Sequence, residues 1–153
     1  MMQKIVPNLW YDGNAREAVE YYVSVFSNGR IVGGSKYPES ASDGLADFQQ
    51  ELAGKDLTID FEILGTKFTA INAGPDFKFN ESVSFVVPCK DQEEIDYYWE
   101  KLSAYPENEQ CGWCKDKFGL SWQIVPENME ELMSKPGAFK TMMRQHKIVI
   151  SEY

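Results

Sequence analysis

The feature that most limits how this 153-residue chain can fold is a pattern that it runs through twice. Lys4 to Tyr11 is a short apolar-rich stretch stopped by Asp12-Gly13, which predicts a strand and a turn. Asn14 stands three residues before Glu17, the spacing of a capping box, and Ala15, Ala18, Val19, Tyr22, Val25 and Phe26 recur at helical spacing. Asn28-Gly29 ends that helix, and Arg30 to Tyr37 predicts a second strand that Gly33-Gly34 weakens or bulges. Pro38 to Asp47 predicts a mobile polar loop, after which Phe48 to Leu52, Leu57 to Leu64 and Lys67 to Asn72 predict strands, with Gly65 turning between the last two.

Ala73-Gly74-Pro75 breaks the chain near its midpoint, and the pattern restarts. Val83 to Val87 predicts a strand, Asp91 precedes Glu94 by three residues, and Ile95, Tyr98, Trp99 and Leu102 form a helical stripe. A shift of 76 lays Tyr97-Tyr98 on Tyr21-Tyr22, Ile95 on Val19 and Phe85 on Leu9, while Gly119-Leu-Ser-Trp-Gln-Ile-Val matches Gly65-Thr-Lys-Phe-Thr-Ala-Ile at 54. A duplicated unit of strand, helix and three strands, with shorter loops in its second copy, accounts for both. The expectation is a single domain over 1–153 built of two modules, about 1–74 and 75–153. Pro136 is expected to open a last short helix through Phe139, Met142 and Met143, with Lys147 to Ile150 as a short terminal strand.

Charge and residue counts then narrow the chemistry. Acidic side chains outnumber basic ones 24 to 15, a formal charge of −9, and no Lys/Arg cluster interrupts them. Such a surface repels phosphate, so neither nucleic acid nor an anionic membrane is an expected partner. The opening Met1-Met-Gln-Lys-Ile-Val-Pro lacks the apolar stretch of a signal peptide, and Cys89, Cys111 and Cys114 are too few and odd in number for a disulfide framework; both predict a cytoplasmic protein. With His146 the only histidine, two-His iron sites and His-Glu-x-x-His zinc helices are excluded. Gly-x-Ser-x-Gly, Gly-x-x-x-x-Gly-Lys-Ser/Thr and Gly-x-Gly-x-x-Gly motifs do not occur, which disfavours nucleophile-elbow and nucleotide chemistry.

Four segments carry a family resemblance: Asn8-Leu-Trp-Tyr-Asp-Gly-Asn-Ala, Asn72-Ala-Gly-Pro-Asp-Phe-Lys-Phe, Asp91-Gln-Glu-Glu-Ile-Asp-Tyr-Tyr-Trp-Glu-Lys-Leu and Gln110-Cys-Gly-Trp-Cys-Lys-Asp-Lys-Phe-Gly-Leu-Ser-Trp-Gln-Ile-Val-Pro. Together they resemble the PhnB-like family of the glyoxalase, bleomycin resistance and extradiol dioxygenase (vicinal oxygen chelate) superfamily. The resemblance implies an α+β fold of paired βαβββ modules, each curling its mixed sheet into a cup, and a homodimer. Some relatives are labelled ubiquinone-pathway methyltransferases, yet no segment here resembles a glycine-rich methyl-donor loop.

Metal enzymes of that superfamily take ligands from the first and last strands of each module. Alternation along a strand assigns the faces. Leu9, Tyr11, Phe85 and Val87, with Trp122 and Ile124, match helix-packed positions, which leaves Val6, Asn8, Trp10, Lys67, Thr69, Ile71, Ser82, Ser84, Val86, Ser121, Gln123 and Val125 facing the cup. The ligand-equivalent positions are then roughly Val6, Thr69, Ser82 and Gln123, and one neutral amide does not hold a divalent ion. The expectation is a metal-free, cofactor-free cup that binds a small organic molecule through Asn8, Trp10, Thr69, Ser82, Ser84, Trp113 and Gln123, with Phe79 nearby, and whose catalytic residues, if any, are unknown.

Two alternatives accompany this reading: a metal-dependent lyase or oxygenase with ligands such as Glu51, Asp60 or Glu62, and a non-catalytic interaction protein with a closed cup. Cys111-Gly-Trp-Cys114 has redox or zinc spacing, and Cys89 and His146 complete a ligand set by count alone. The family pattern resembles Gln-Cys-Gly-Trp followed by an apolar residue, so Cys114 reads as a substitution into that slot. His146 reads as a surface residue, and Tyr21-Tyr22 and Tyr97-Tyr98 as packing on helical stripes.

Overall fold

The computed structural model describes residues 3–153; Met1 and Met2, which open the first predicted module, lie outside them. The chain divides into two compact units, Met1–Lys78 and Phe79–Tyr153, each with its own sheet. Mixed sheets with helices make the fold α+β, and no sheet closes into a barrel.

In the first unit the elements run β1 (Asn8–Asp12), α1 (Ala15–Val25), β2 (Arg30–Lys36), β3 (Asp56–Ile63) and β4 (Thr66–Ala73), with sheet order β1-β4-β3-β2. The first and last strands lie parallel, and the other neighbours are antiparallel. A parallel pair cannot be joined by a tight turn, so the chain crosses over, and α1 makes the first part of that crossing against β3 and β4. The helix buries Ala15, Ala18, Val19, Tyr22 and Val25. Tyr22 stacks on Phe61, and Phe61 on Phe68, with ring centroids 6.0 and 5.4 Å apart. Burying a side chain of that size contributes roughly 2–3 kcal/mol. Leu9 and Tyr11 are buried while Asn8 is exposed and Trp10 half-buried, so the predicted faces of β1 hold.

The predicted cap of α1 is replaced by a distant one. Asn14 makes no side-chain cap; instead Asn72, on β4, accepts the Ala15 N–H at 3.2 Å and donates to the Asp56 carbonyl at 2.9 Å. The Asn72 carbonyl also accepts the Tyr37 hydroxyl at 2.6 Å. One buried residue thus ties the helix start, β3 and the end of β2 together. The strand expected over Phe48 to Leu52 is a 3₁₀ turn, Asp47–Leu52. Gln49 there folds its side chain back onto the Ala46 N–H at 3.1 Å, a local bond that competes with strand pairing. The preceding polar loop contains a second short turn, Ala41–Asp43, and β2 is bulged beside Gly33 as expected.

The second unit runs β5 (Ser84–Cys89), α2 (Gln92–Leu102), β6 (Trp113–Lys115) and β7 (Ser121–Pro126), then α3 (Met129–Met133) and α4 (Ala138–Arg144). Its order is β5-β7-β6, with β5 again parallel to β7. This repeat is one strand short of βαβββ among the described residues. A 3₁₀ turn, Pro106–Asn108, follows α2 where the first unit has β2. Pro106 lacks a ladder N–H, and no β-branched residue occurs from Ser103 to Gln110. The cap predicted for α2 is present, with Asp91 Oδ1 accepting the Glu94 N–H at 2.9 Å. Asp116, fully buried, accepts from Phe118 N at 2.8 Å, Leu120 N at 3.1 Å and Trp122 Nε1 at 2.9 Å, which shapes the turn between β6 and β7.

The expected terminal strand is absent. Gln92 bonds the Ile148 carbonyl at 2.9 Å and the Ile150 N–H at 2.8 Å, and Gln145 bonds both backbone groups of Val149. Side-chain amides therefore take the place of a partner strand.

Asn72→Ala removes a cap and leaves buried backbone groups unpaired, so it is expected to lower unfolding stability by about 2–3 kcal/mol in urea titration. A second test is pH. Arg16 donates from Nε to Asp56 at 2.7 Å and from Nη2 at 3.2 Å, and this pairing, helped by Lys36, holds the Asp56 carboxyl below the usual carboxylate range. A depressed folded pKa stabilises above the unfolded value and is lost as pH falls through the folded one. The cost of Arg16→Met, about 0.5–1 kcal/mol, should be full at pH 7 and shrink in titrations as pH falls below the ordinary carboxylate range and Asp56 is protonated.

Candidate functional site

Each helix packs on one face of its sheet, so the opposite faces are where a ligand can reach strand side chains. On the first sheet, register places Asn8, Thr69 and Asp60 in one row across β1, β4 and β3, and Trp10, Ile71 and Thr58 in another. Asn8 Nδ2 donates to the Val6 carbonyl at 3.0 Å, and Thr69 Oγ1 donates to Asp60 Oδ1 at 2.6 Å. Trp10 is fixed more firmly. Its indole donates to the Gly74 carbonyl at 2.8 Å, and its ring meets Phe77 edge-on with centroids 4.8 Å apart. Asn8, Trp10 and Thr69 therefore share one face, with all three polar tips engaged: by the chain before β1, the turn after β4 and a neighbour on β3.

On the second sheet, Gln123 faces Trp113 across β6 and donates from Nε2 to Ser84 Oγ at 2.8 Å. Ser121, opposite Ser84 in the ladder, joins them on this face. Its hydroxyl is buried with no hydrogen-bond partner among the described residues, an uncommon state for a buried polar atom. Lys115 lies opposite Ser121 and pairs with Glu81. Ser82 does not join the set. It precedes β5 in an exposed turn, and its N–H and Oγ both bond Asn80 Oδ1. Phe79, expected nearby, lies next to Gly119, 3.9 Å from where a Cβ would stand there. Trp122 and Ile124 are buried on the helix side, as alternation predicts. Ser121 was legible as an inward-facing position; its lack of a partner was not, because that depends on what surrounds it.

Among the described residues no group of three or more His, Cys, Asp or Glu side chains is placed to hold a metal ion. Val6, Thr69, Ser82 and Gln123, the positions that the resemblance made equivalent to metal ligands, offer one amide and two hydroxyls and do not fit a divalent cation. Of the alternative ligands, Asp60 receives the Thr69 hydroxyl, Glu62 pairs with Arg30 at 2.9 Å, and Glu51 sits on the exposed 3₁₀ turn. A methyl-donor cofactor fares no better: the strand-to-helix junctions are Asp12-Gly13-Asn14 and Lys90-Asp91, without a glycine-rich cradle.

The Cys-x-x-Cys segment holds the C-terminal tail. Cys111 N donates to the Gln145 carbonyl and Gly112 N to the His146 carbonyl, each at 2.8 Å, and Gly112 accepts from Ile124 N. His146 is exposed and its Nδ1 lies 2.8 Å from the Glu109 carbonyl oxygen. Cys89 and Cys114 are buried, and burial, reinforced by nearby carboxylates, pushes both thiols up to about 12. Cys111 is half-exposed, its sulfur 3.6 Å from that of Met143.

Comparison with known proteins matches this architecture. The model of the 3-demethylubiquinone-9 3-methyltransferase family matches residues 3–125. The structures of several proteins superpose on the chain. One is a PhnB protein from Bacillus cereus, provisionally called a 3-demethylubiquinone-9 3-methyltransferase: it is 32% identical over 80% of this chain and 99% of that one, with a TM-score of 0.63. A protein from Pseudomonas aeruginosa, 20% identical over 82% of this chain and 98% of its own, gives 0.57, and an Arabidopsis thaliana gene product, 17% identical over 81% and 98%, gives 0.52. No curated protein matches. The class is thus an α+β fold of helix-backed mixed sheets. The chain belongs to the PhnB-like family.

Thiol accessibility follows directly. At pH 7.5 one of the three cysteines, Cys111, should react rapidly with a disulfide reagent, and all three only after unfolding; two or more fast thiols in the native protein would contradict the burial of Cys89 and Cys114.

Proposed function

We propose that this PhnB-like protein binds a small organic molecule on the open faces of its two sheets, without a metal, as a cytoplasmic homodimer. The observation that carries the reading is the polar set on the second sheet: the half-buried Gln123–Ser84 pair beside Trp113. One aromatic wall with a few polar groups is the usual make-up of a ligand site. Asn8, Trp10 and Thr69 supply a similar mix on the first sheet; Ser82 contributes only if its turn moves.

The family's methyltransferase name is not carried over, because the chain offers no cradle for a methyl donor. Nor are glyoxalase and dioxygenase chemistry, since the ligand positions hold no metal-binding side chains. Self-association is supported by β2, an edge strand exposed along its length, including Ile31 and Val32 at 40% each. Such an edge is usually covered. Among the described residues no helix is long and apolar enough to cross a membrane.

A thermal-shift screen of metabolites and aromatic antibiotics is the direct test. A true ligand should raise Tm, and Gln123→Ala should weaken it about tenfold by calorimetry, the worth of one or two buried hydrogen bonds. A broad library without a stabilising compound would favour a closed cup, and stoichiometric metal in the purified protein would favour the metal-dependent alternative.

A further inference from the structure

The first unit contains a cleft of about 430 Å³ whose walls are Trp10, Tyr37, Phe48, Leu52 and the turn from Ala73 to Asp76. Its size lies in the range of small-molecule sites. Two of its rings are held in place by their own polar tips. The Trp10 indole is tied to the Gly74 carbonyl and the Tyr37 hydroxyl to the Asn72 carbonyl, which fixes both rings in the wall, Trp10 half-buried against Phe77 and Tyr37 almost wholly buried. Phe48 is different, being 88% exposed on the 3₁₀ turn, an expensive place to leave a phenyl ring. The turn lies between Gly44 and Gly54, both in the left-handed region at φ +106° and +70°.

Charge selects the occupant. The lining includes Asp76, which is exposed and has no ion-pair partner among the described residues, and includes no Lys, Arg or His. A lining that combines three aromatic side chains with one carboxylate favours a cation, because ring faces are electron-rich and the carboxylate completes the charge. The chain's formal charge of −9 raises the local concentration of such a molecule.

We infer that this cleft takes a flat heteroaromatic cation of one or two rings, of the N-alkylpyridinium or quinolinium kind, sandwiched between Trp10 and Phe48 with its charge toward Asp76. The inference rests on the reading that the chain binds small organic molecules, and it adds the class of ligand and the residues Tyr37, Phe48 and Asp76.

Calorimetric titration with three matched probes tests it: N-methylquinolinium, neutral quinoline at pH 8 and quinoline-2-carboxylate. The cation is expected to bind about tenfold more tightly than quinoline, and the carboxylate more weakly than either. Asp76→Asn should cost the cation about three- to tenfold and leave quinoline unchanged. Phe48→Ala, at an exposed position that the fold does not need, should weaken both rings. Equal binding of cation and neutral ring, or an Asp76→Asn variant with undiminished preference for the cation, would overturn the ligand class. Binding of none of the three, while a metabolite dependent on Gln123 is still found, would overturn the cleft and leave the second sheet's role standing; absence of both would overturn both.

Discussion

Parallel pairing of the first and last strands in each unit is the constraint from which the remaining features follow. Strands β1 and β4, like β5 and β7, can lie side by side in the same direction only if the chain returns to its starting edge, and a helix makes the first part of that return in each unit. The helix then packs on one face of the sheet. Tyr22, Phe61 and Phe68 on that side of the first sheet, and Ile95, Trp122 and Ile124 on that side of the second, are almost wholly removed from water. Among the described residues no helix of the same unit is packed on the other face in this way, and side chains that would be wasted in a core, among them Asn8, Thr69, Ser84 and Gln123, stand there.

Polar interactions within each unit fix the details that hydrophobic burial leaves free. Asn72 sets where α1 begins relative to β3, Asp116 fixes the turn before β7, and Gln92 and Gln145 clamp the tail. Each is a side chain satisfying backbone groups that no ladder reaches, which buried N–H and C=O groups require. The Ser121 hydroxyl is the exception, and it falls on the face proposed to meet a ligand.

The helical stripes and the alternation of β1 and β7 were legible because both are periodic, and period reports burial directly. Trp10 and Gln123 could be assigned to the open face for that reason. What escaped depends on contacts between residues far apart in the chain. The cap on α1 comes from 57 residues away, so Asn14 with its suggestive spacing misled. Phe48 to Leu52 and Lys147 to Ile150 carry apolar residues, yet local amide side chains claim the backbone groups that strands would have paired. The missing strand of the second repeat was marked only by Pro106 and by the lack of β-branched residues from Ser103 to Gln110. Ser82 shares its parity with Ser84 but lies beyond the strand's end, where alternation no longer assigns a face. Tyr37 and Asp76 gave no signal, since a cleft is a property of three-dimensional placement.

The central claim is that ligands meet the faces opposite the helices. The indole N–H signals of the four tryptophans report on it in a single titration followed by heteronuclear NMR, because Trp10 and Trp113 lie on the open faces and Trp122 on a helix-packed one. A stabilising compound from the metabolite screen should shift the Trp10 or Trp113 signal at substoichiometric additions and leave Trp122 in place. A shift of Trp122 with Trp10 and Trp113 unmoved would contradict the account.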